Sequence, residues 1–208
     1  MKLYLVRHGQ SVGNVNKIHQ HADTPLSELG MSQANELAKR FKSIPLDLIL
    51  TSHFKRAQST AEIVANHVGV KLEINELLRE IKRPSTLEGK PTMDPVAVEI
   101  RAQIRANLHD SLWHHSDEEN IHELISRAKK FLEYISIRSE ENILAVSHGI
   151  FIGAILGNVI FEDLLTPEIY KAMEGTMHLA NTGITLLERV ENKWHLQTWN
   201  DNAHLGNL

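Results

Sequence analysis

A chain of 208 residues with 42% apolar side chains can bury one substantial core, and it reads as a single domain over 1–208. Its formal charge of -4 excludes a broad basic surface for nucleic acid, so any cationic site is a local pocket suited to a small anion. The lack of cysteine excludes disulfides, thiolate nucleophiles and cysteine-ligated zinc.

In chain order, the apolar run Leu3 to Val6 reads as a buried strand, followed by a polar loop holding Asn14, Asn16, Asp23 and Pro25. Ser27 is the expected cap of a helix reaching Phe41 and burying Leu29, Ala34, Leu37 and Phe41. Leu46 to Leu50 is a second strand. The next helix opens near Ser52, buries Ala57, Ala61, Val64 and Val68, and stops at Gly69 before a third strand, Val70 to Ile74. From Arg83 to Asn120 the pattern loosens around Pro84, Pro91 and Pro95, with one helical stretch near Val96 to Leu108. This segment, about 83–120, is expected to form a cap-like excursion over the site rather than a separate domain. A helical stripe from Ile121 to Ile135 leads into a strand at Ile143 to Val146. The following run, 150–161, is interrupted by Gly153, Gly157 and Asn158, too short to cross a bilayer, and reads as a buried helix. Gly183 to Val190, a turn at 191–193 and Trp194 to Trp199 add a hairpin to the sheet. The alternation predicts a mostly parallel sheet covered by helices on both faces. The chain enters its first strand without a basic and apolar leader, so the expectation is a cytoplasmic protein that avoids membranes. Neither composition nor motif assigns an oligomeric state.

Three strand ends carry the chemistry. Arg7-His8-Gly9 follows the first strand, Arg56 lies just beyond the second, and Ser147-His148-Gly149 follows the strand at Ile143. Open α/β sheets place ligands beyond the carboxyl ends of their strands, so two histidines and two arginines should meet in one crevice, with the glycines letting a ligand approach the backbone. One such tripeptide arises readily by chance; three strand ends delivering phosphate-binding residue types together do not. Glu80, after the third strand, supplies the proton donor that a guanidinium cannot be. Arg101 and Arg105 on one helix face, with Lys82, Arg83 and Lys90, are candidates for meeting an anionic part of a substrate. Among the other histidines, His178 is of interest because it precedes the loop-to-strand junction at Asn181-Thr182-Gly183. No metal site is expected, since there is no HExxH pattern.

Taken in order, these residues resemble the histidine phosphatase superfamily, also called the phosphoglycerate mutase-like family. The resemblance covers nearly the whole chain: Arg7-His8-Gly9-Gln10-Ser11 with Asn14, Asp23 to Ser27 with Gly30 and Gln33-Ala34, Thr51-Ser52 with Arg56-Ala57 and Thr60-Ala61, Leu78-Arg79-Glu80, Glu88-Gly89, and Ser147-His148-Gly149. It implies a three-layer α/β/α sandwich with a mostly parallel central sheet. It also implies that His8 is the nucleophile that becomes phosphorylated, that Arg7, Arg56 and His148 bind the phosphoryl group, and that Glu80 is the proton donor. Ser11 and Asn14 match positions lining the phosphate pocket in relatives, and Gly149 completes the implied set. Phosphoryl transfer depends mainly on alignment and on stabilising charge over the equatorial oxygens, which arginine forks and a cationic imidazole supply without a metal or other cofactor. Two departures concern the substrate. Gln20-His21 stands where many relatives have glycine after glutamine, placing side-chain bulk there, and Arg83-Pro84-Ser85-Thr86 replaces a glycine-containing linker. The expectation is a phosphomonoester hydrolase acting through phosphohistidine on a small phosphorylated metabolite or a phosphoprotein. The alternatives are a cofactor-dependent phosphoglycerate mutase and a non-catalytic phosphate-binding regulator.

Overall fold

A computed structural model describes residues 1–206. One sheet runs from edge to edge as β3 (Leu72–Ile74), β2 (Leu48–Thr51), β4 (Asn142–Ser147), β1 (Lys2–Arg7), β5 (Ile184–Val190) and β6 (Lys193–Asp201). The first four are mutually parallel; β5 runs antiparallel to β1, and β6 antiparallel to β5. Glu191 and Asn192, both with positive φ (49° and 68°), make the tight turn whose twist suits a hairpin between β5 and β6.

Side-chain alternation along the central strands divides the core in two. Leu3, Leu5, Leu50, Ile143 and Ala145 face α5 (Ile121–Ser136) and α6 (Gly149–Phe161). Tyr4, Val6, Ile49, Leu144 and Val146 face α2 (Glu28–Phe41) and α3 (Lys55–Val68). This is the three-layer α/β/α sandwich that the alternation of elements and the resemblance both anticipated. Helix α6 is apolar nearly all round because it is wedged between the sheet and α5.

The register aligns the strand ends. Arg7 pairs with Ser147 across β1 and β4, and Thr51 with Val146 across β2 and β4. The segments carrying His8, His148 and Ser52 therefore leave the sheet side by side, and the His8 and Ser52 N–H groups donate to the Ser147 and Val146 carbonyls at 2.9 and 3.2 Å.

Several local expectations need correction. The polar loop after β1 contains a single turn, α1 (Val12–Val15), closed by a reciprocal Ser11–Asn14 capping box. Leu29 is exposed rather than buried, because it sits in the first turn of α2 on the side away from the sheet. Helix α3 begins at Lys55, with Gly69 at φ 71° ending it as read. The segment after Glu80 holds α4 (Pro95–Ala106), over a small core of Leu87, Ala97 and Ile100. It is joined to the loop after α1 by backbone bonds: His19 N–H to Lys90 O, Gly89 N–H to His19 O and Thr92 N–H to Lys17 O. A further helix, α7 (Pro167–Thr176), follows α6 and was not read from the pattern. Thr166 caps it and Pro167 occupies its first turn, a start signal that was there to be used.

Candidate functional site

A cavity of about 640 Å³ opens at the carboxyl edge of the sheet. Its floor carries Arg7, His8, Arg56 and Gly149, with Asn14 and Glu80 above them. His148 lies just behind, its ring centroid 5.1 Å from that of His8.

His8 is almost wholly buried, and its Nδ1 is 2.7 Å from the Gly9 carbonyl oxygen. A carbonyl only accepts, so Nδ1 carries the proton and Nε2 the lone pair. Arg56 Nε donates to that Nε2 at 3.2 Å. Burial, reinforced by Arg56 and Arg7, pushes the His8 imidazole well below the usual histidine range, so it is neutral at pH 7. His8 is also held through its backbone: Asn181 Nδ2 donates to its carbonyl at 2.8 Å.

Arg7 donates through one terminal nitrogen to the Leu179 carbonyl, while its buried Nε has no partner among the described residues. Arg56 reaches back from α3 to donate to the His21 carbonyl at 3.0 Å, and burial, opposed by Glu80, brings its guanidinium down to about 10. Both arginines remain cationic at neutral pH. His148 is fully buried, its Nε2 3.0 Å from Ser52 Oγ. Ser52 Oγ also accepts the Phe54 N–H, and His148 Nδ1 has no partner among the described residues. Burial and the neighbouring arginines push His148 down as well, so the cationic imidazole expected from the resemblance is neutral in this arrangement.

Glu80 caps α6 from a distant loop. Its two oxygens accept from the N–H groups of Ile150 at 3.3 Å and Phe151 at 3.1 Å, and from Ile81 at 3.0 Å. The first turn of a helix has N–H groups in need of acceptors, and His148, its N-cap residue, supplies no side-chain bond.

Beneath Glu80 lies an ion network that sequence reasoning missed. The buried Glu119 carboxylate takes a fork from Arg127, both bonds 2.7 Å, and a second from Arg79 at 2.9 and 3.2 Å. Arg127 also donates to the Leu77 and Arg79 carbonyls, at 2.6 and 2.8 Å, and its guanidinium lies 4.2 Å from the centre of the Phe151 ring. The backbone on either side of Glu80 is thereby fastened to α5. No short motif signals an arrangement whose partners lie 40 and 48 residues apart.

Three expectations change. Ser11 does not border the cavity: its fully buried hydroxyl bonds Asn14 and, at 2.7 Å, Gln20, so it shapes the loop that presents Asn14. Gly9 makes room for protein rather than ligand, since a Cβ there would come 2.5 Å from the Gly30 carbonyl oxygen, and a Cβ on Gly30 would come 1.9 Å from that of Gln10. The His21 side chain points out to Glu88 at 3.0 Å, half exposed, so its bulk does not fill the pocket; its carbonyl holds Arg56 instead. Lys82, Arg83 and His178 border the cavity, whereas Arg101 and Arg105 border a smaller neighbouring one of about 250 Å³ and Lys90 borders neither. Among the described residues no group of three or more His, Asp or Glu side chains is arranged to hold a metal ion, and no helix is long and apolar enough to cross a membrane.

Comparison with known proteins agrees with this fold. A probable phosphoglycerate mutase of Yersinia enterocolitica is 28% identical over 99% of this chain and 95% of its own length. Among solved structures, Bacillus stearothermophilus YhfR superimposes with a TM-score of 0.81 at 27% identity, covering 98% of both chains. The phosphoserine phosphatase of Entamoeba histolytica, solved in complex with 3-phosphoglyceric acid, gives 0.79 at 26% identity, again over 98% of both chains. The family model for the histidine phosphatase superfamily, branch 1, matches residues 3–202, and with strand order, register and motif residues all in agreement, the chain belongs to that superfamily.

Proposed function

We propose that the protein is a phosphomonoester hydrolase that works through a phosphohistidine at His8. One observation carries this reading: a buried, neutral imidazole with its proton committed to the Gly9 carbonyl and its Nε2 lone pair facing the guanidinium groups of the pocket, where Arg56 Nε donates to it. In the first step Arg56 turns its Nε–H from Nε2 to a phosphoryl oxygen, the freed Nε2 lone pair attacks phosphorus in line, the bond to the ester oxygen breaks, and Glu80 delivers a proton to the leaving alcohol. In the second, Glu80 takes a proton from water as it attacks phosphorus, the N–P bond breaks, and phosphate leaves with His8 restored. Arg7 and Arg56 stabilise the equatorial oxygens, with His148 a further donor. A bound dianion would offset the burial and positive neighbours that hold His148 neutral, giving it the cationic character suited to the transition state.

Hydrolysis is favoured over the mutase reading because two of the cations beyond the floor are engaged, Arg79 with Glu119 and Lys82 with Asp117, which leaves Arg83 alone for a second phosphate. A mutase has to bind two phosphate groups and shield phosphohistidine from water. Segment 83–120, tied by backbone bonds to the loop at 17–21, fits a cap belonging to the same domain. A small phosphorylated metabolite as substrate and a cytoplasmic location complete the proposal.

Brief incubation with a labelled phosphoester should give a base-stable, acid-labile phosphoenzyme that His8→Ala abolishes; label on serine, or undiminished turnover in the variant, would overturn the mechanism. Phosphorus NMR of 3-phosphoglycerate with 2,3-bisphosphoglycerate as primer should show net phosphate release. Faster interconversion to 2-phosphoglycerate would establish the mutase instead.

A further inference from the structure

Beyond the phosphate floor the cavity changes character. Met173 and Met177 lie four residues apart along α7 and its C-terminal residue, on one face that borders the open volume, with Met177 the more exposed and the fully buried Tyr170 on the same face. Ile150, Leu179 and Trp199 extend the same wall. The Tyr170 hydroxyl donates to the Ile150 carbonyl at 3.0 Å, so its polar end is satisfied within the protein. Charged groups around this wall are largely paired: Glu174 with Lys171, Arg79 with Glu119, and Lys82 with Asp117. Besides Arg7 and Arg56 on the floor, Arg83 is the cation of the lining without an ion pair among the described residues.

We propose that this wall is a binding site for the alcohol part of the substrate, and that the protein acts on phosphomonoesters of apolar alcohols. This rests on the hydrolase reading and extends it to the substrate class. A small acid such as phosphoglycerate would bury charged oxygens against methionine and aromatic carbon without recovering their hydration. A hydrocarbon body gains from the same contact. Methionines give the wall an adaptable shape, which suits a range of chains rather than one rigid ring. The volume, about 640 Å³, lies in the range of pockets that enclose whole drug-sized ligands and leaves space beyond one phosphoryl group.

The test uses n-alkyl phosphates from ethyl to octyl, whose leaving oxygens beyond ethyl are nearly equal in basicity, so that chain length changes contact and not chemistry. For the wild-type protein kcat/KM should rise about fourfold per added methylene until the wall is covered, and exceed that for 3-phosphoglycerate and phosphoserine. In Met173→Ser and Met177→Gln the dependence on chain length should flatten. Alkylphosphonate inhibitors give a second measurement that needs no variant: the inhibition constant should fall with length in parallel. Hydrolysis with a flat or falling dependence on length would overturn the subsite and leave the hydrolase reading intact. Tighter alkylphosphonate binding with length, without hydrolysis of any ester, would retain the subsite and overturn the hydrolase reading.

Discussion

Replacing Glu119 by glutamine separates the role of the buried ion network from that of the phosphate floor. Four guanidinium N–H groups converge on its two carboxylate oxygens, two from Arg127 and two from Arg79. An amide offers one acceptor oxygen and an NH2 that would face two of those donors. Arg127 is buried, and removing one partner of a buried pair typically costs about 3–5 kcal/mol, a large share of the roughly 5–15 kcal/mol by which domains are stable. The urea midpoint of Glu119→Gln should therefore fall steeply without loss of a cooperative transition. The functional effect should be selective. Arg127 and Arg79 fasten the backbone at 77, 79 and 80, so loosening them displaces Glu80 and not the groups that leave β1, β2 and β4. General acids contribute about a hundred- to ten-thousand-fold, and misplacing one should forfeit an appreciable part of that for alkyl phosphates while sparing an activated aryl phosphate. Vanadate affinity should hold. Equal loss on both substrates, weakened vanadate binding, or a stability change under about 1 kcal/mol would refute the argument.

Glu80→Gln should slow hydrolysis of poor leaving groups by about a hundred- to ten-thousand-fold and of an activated aryl phosphate much less, while its amide oxygen still caps α6; equal losses would make Glu80 a positioning group. Protonation of His8 and His148 is suppressed in the folded state, so below about pH 6.5 the unfolded chain binds more protons and stability falls as pH falls, by about 1.4 kcal/mol per pH unit for each group. Because an unfolded histidine is only partly protonated across this range, lowering the pH from 7 to 5.5 should cost His8→Asn about 1.2 kcal/mol less stability than the wild type, read from urea midpoints; identical slopes would contradict the burial argument. Gly30→Ala places a methyl 1.9 Å from the Gln10 carbonyl oxygen and should cost at least the 1–3 kcal/mol of an overpacked core and weaken phosphate binding, readable by thermal melting with and without vanadate; a wild-type melting profile would count against the close approach. Activity should survive EDTA and be inhibited by vanadate, whose trigonal-bipyramidal form resembles the in-line transition state, whereas loss on chelation reversed by a divalent ion would point to metal-assisted hydrolysis.

The layers of the fold and the meeting of three strand ends were legible because both follow from local patterning: apolar runs, a glycine stop at 69, helices of regular period. Where the reading failed, the deciding partner was remote in the chain. Ser11 carries a residue type suited to phosphate, yet its hydroxyl faces Gln20. Gly9 suggested access for a ligand, but the approaching group is the backbone of α2. Leu29 fits a helical stripe and still faces solvent, since the buried face of α2 is the one carrying Gln33, Ala34 and Leu37. Helix α7 went unread because its stripe is brief and divided between core and cavity, though Thr166-Pro167 announced its start. Glu119 lies in the loop before α5 and Arg127 within that helix, and only the tertiary fold makes the two a buried clamp.

The position of β1 in the sheet bears on how the molecule assembles. This strand leads into His8 and lies between β4 and β5, while the Leu179 carbonyl and the Asn181 side chain that hold Arg7 and His8 are 172 and 173 residues distant. During translation β1 leaves the ribosome long before either neighbour exists, with both of its edges open. Such contacts carry a high loop-closure cost and form late, so the nucleophile is set in place near the end of folding. Until then the apolar strand is exposed to wrong pairing, and a nascent chain interrupted before β5 would present it as an adhesive edge.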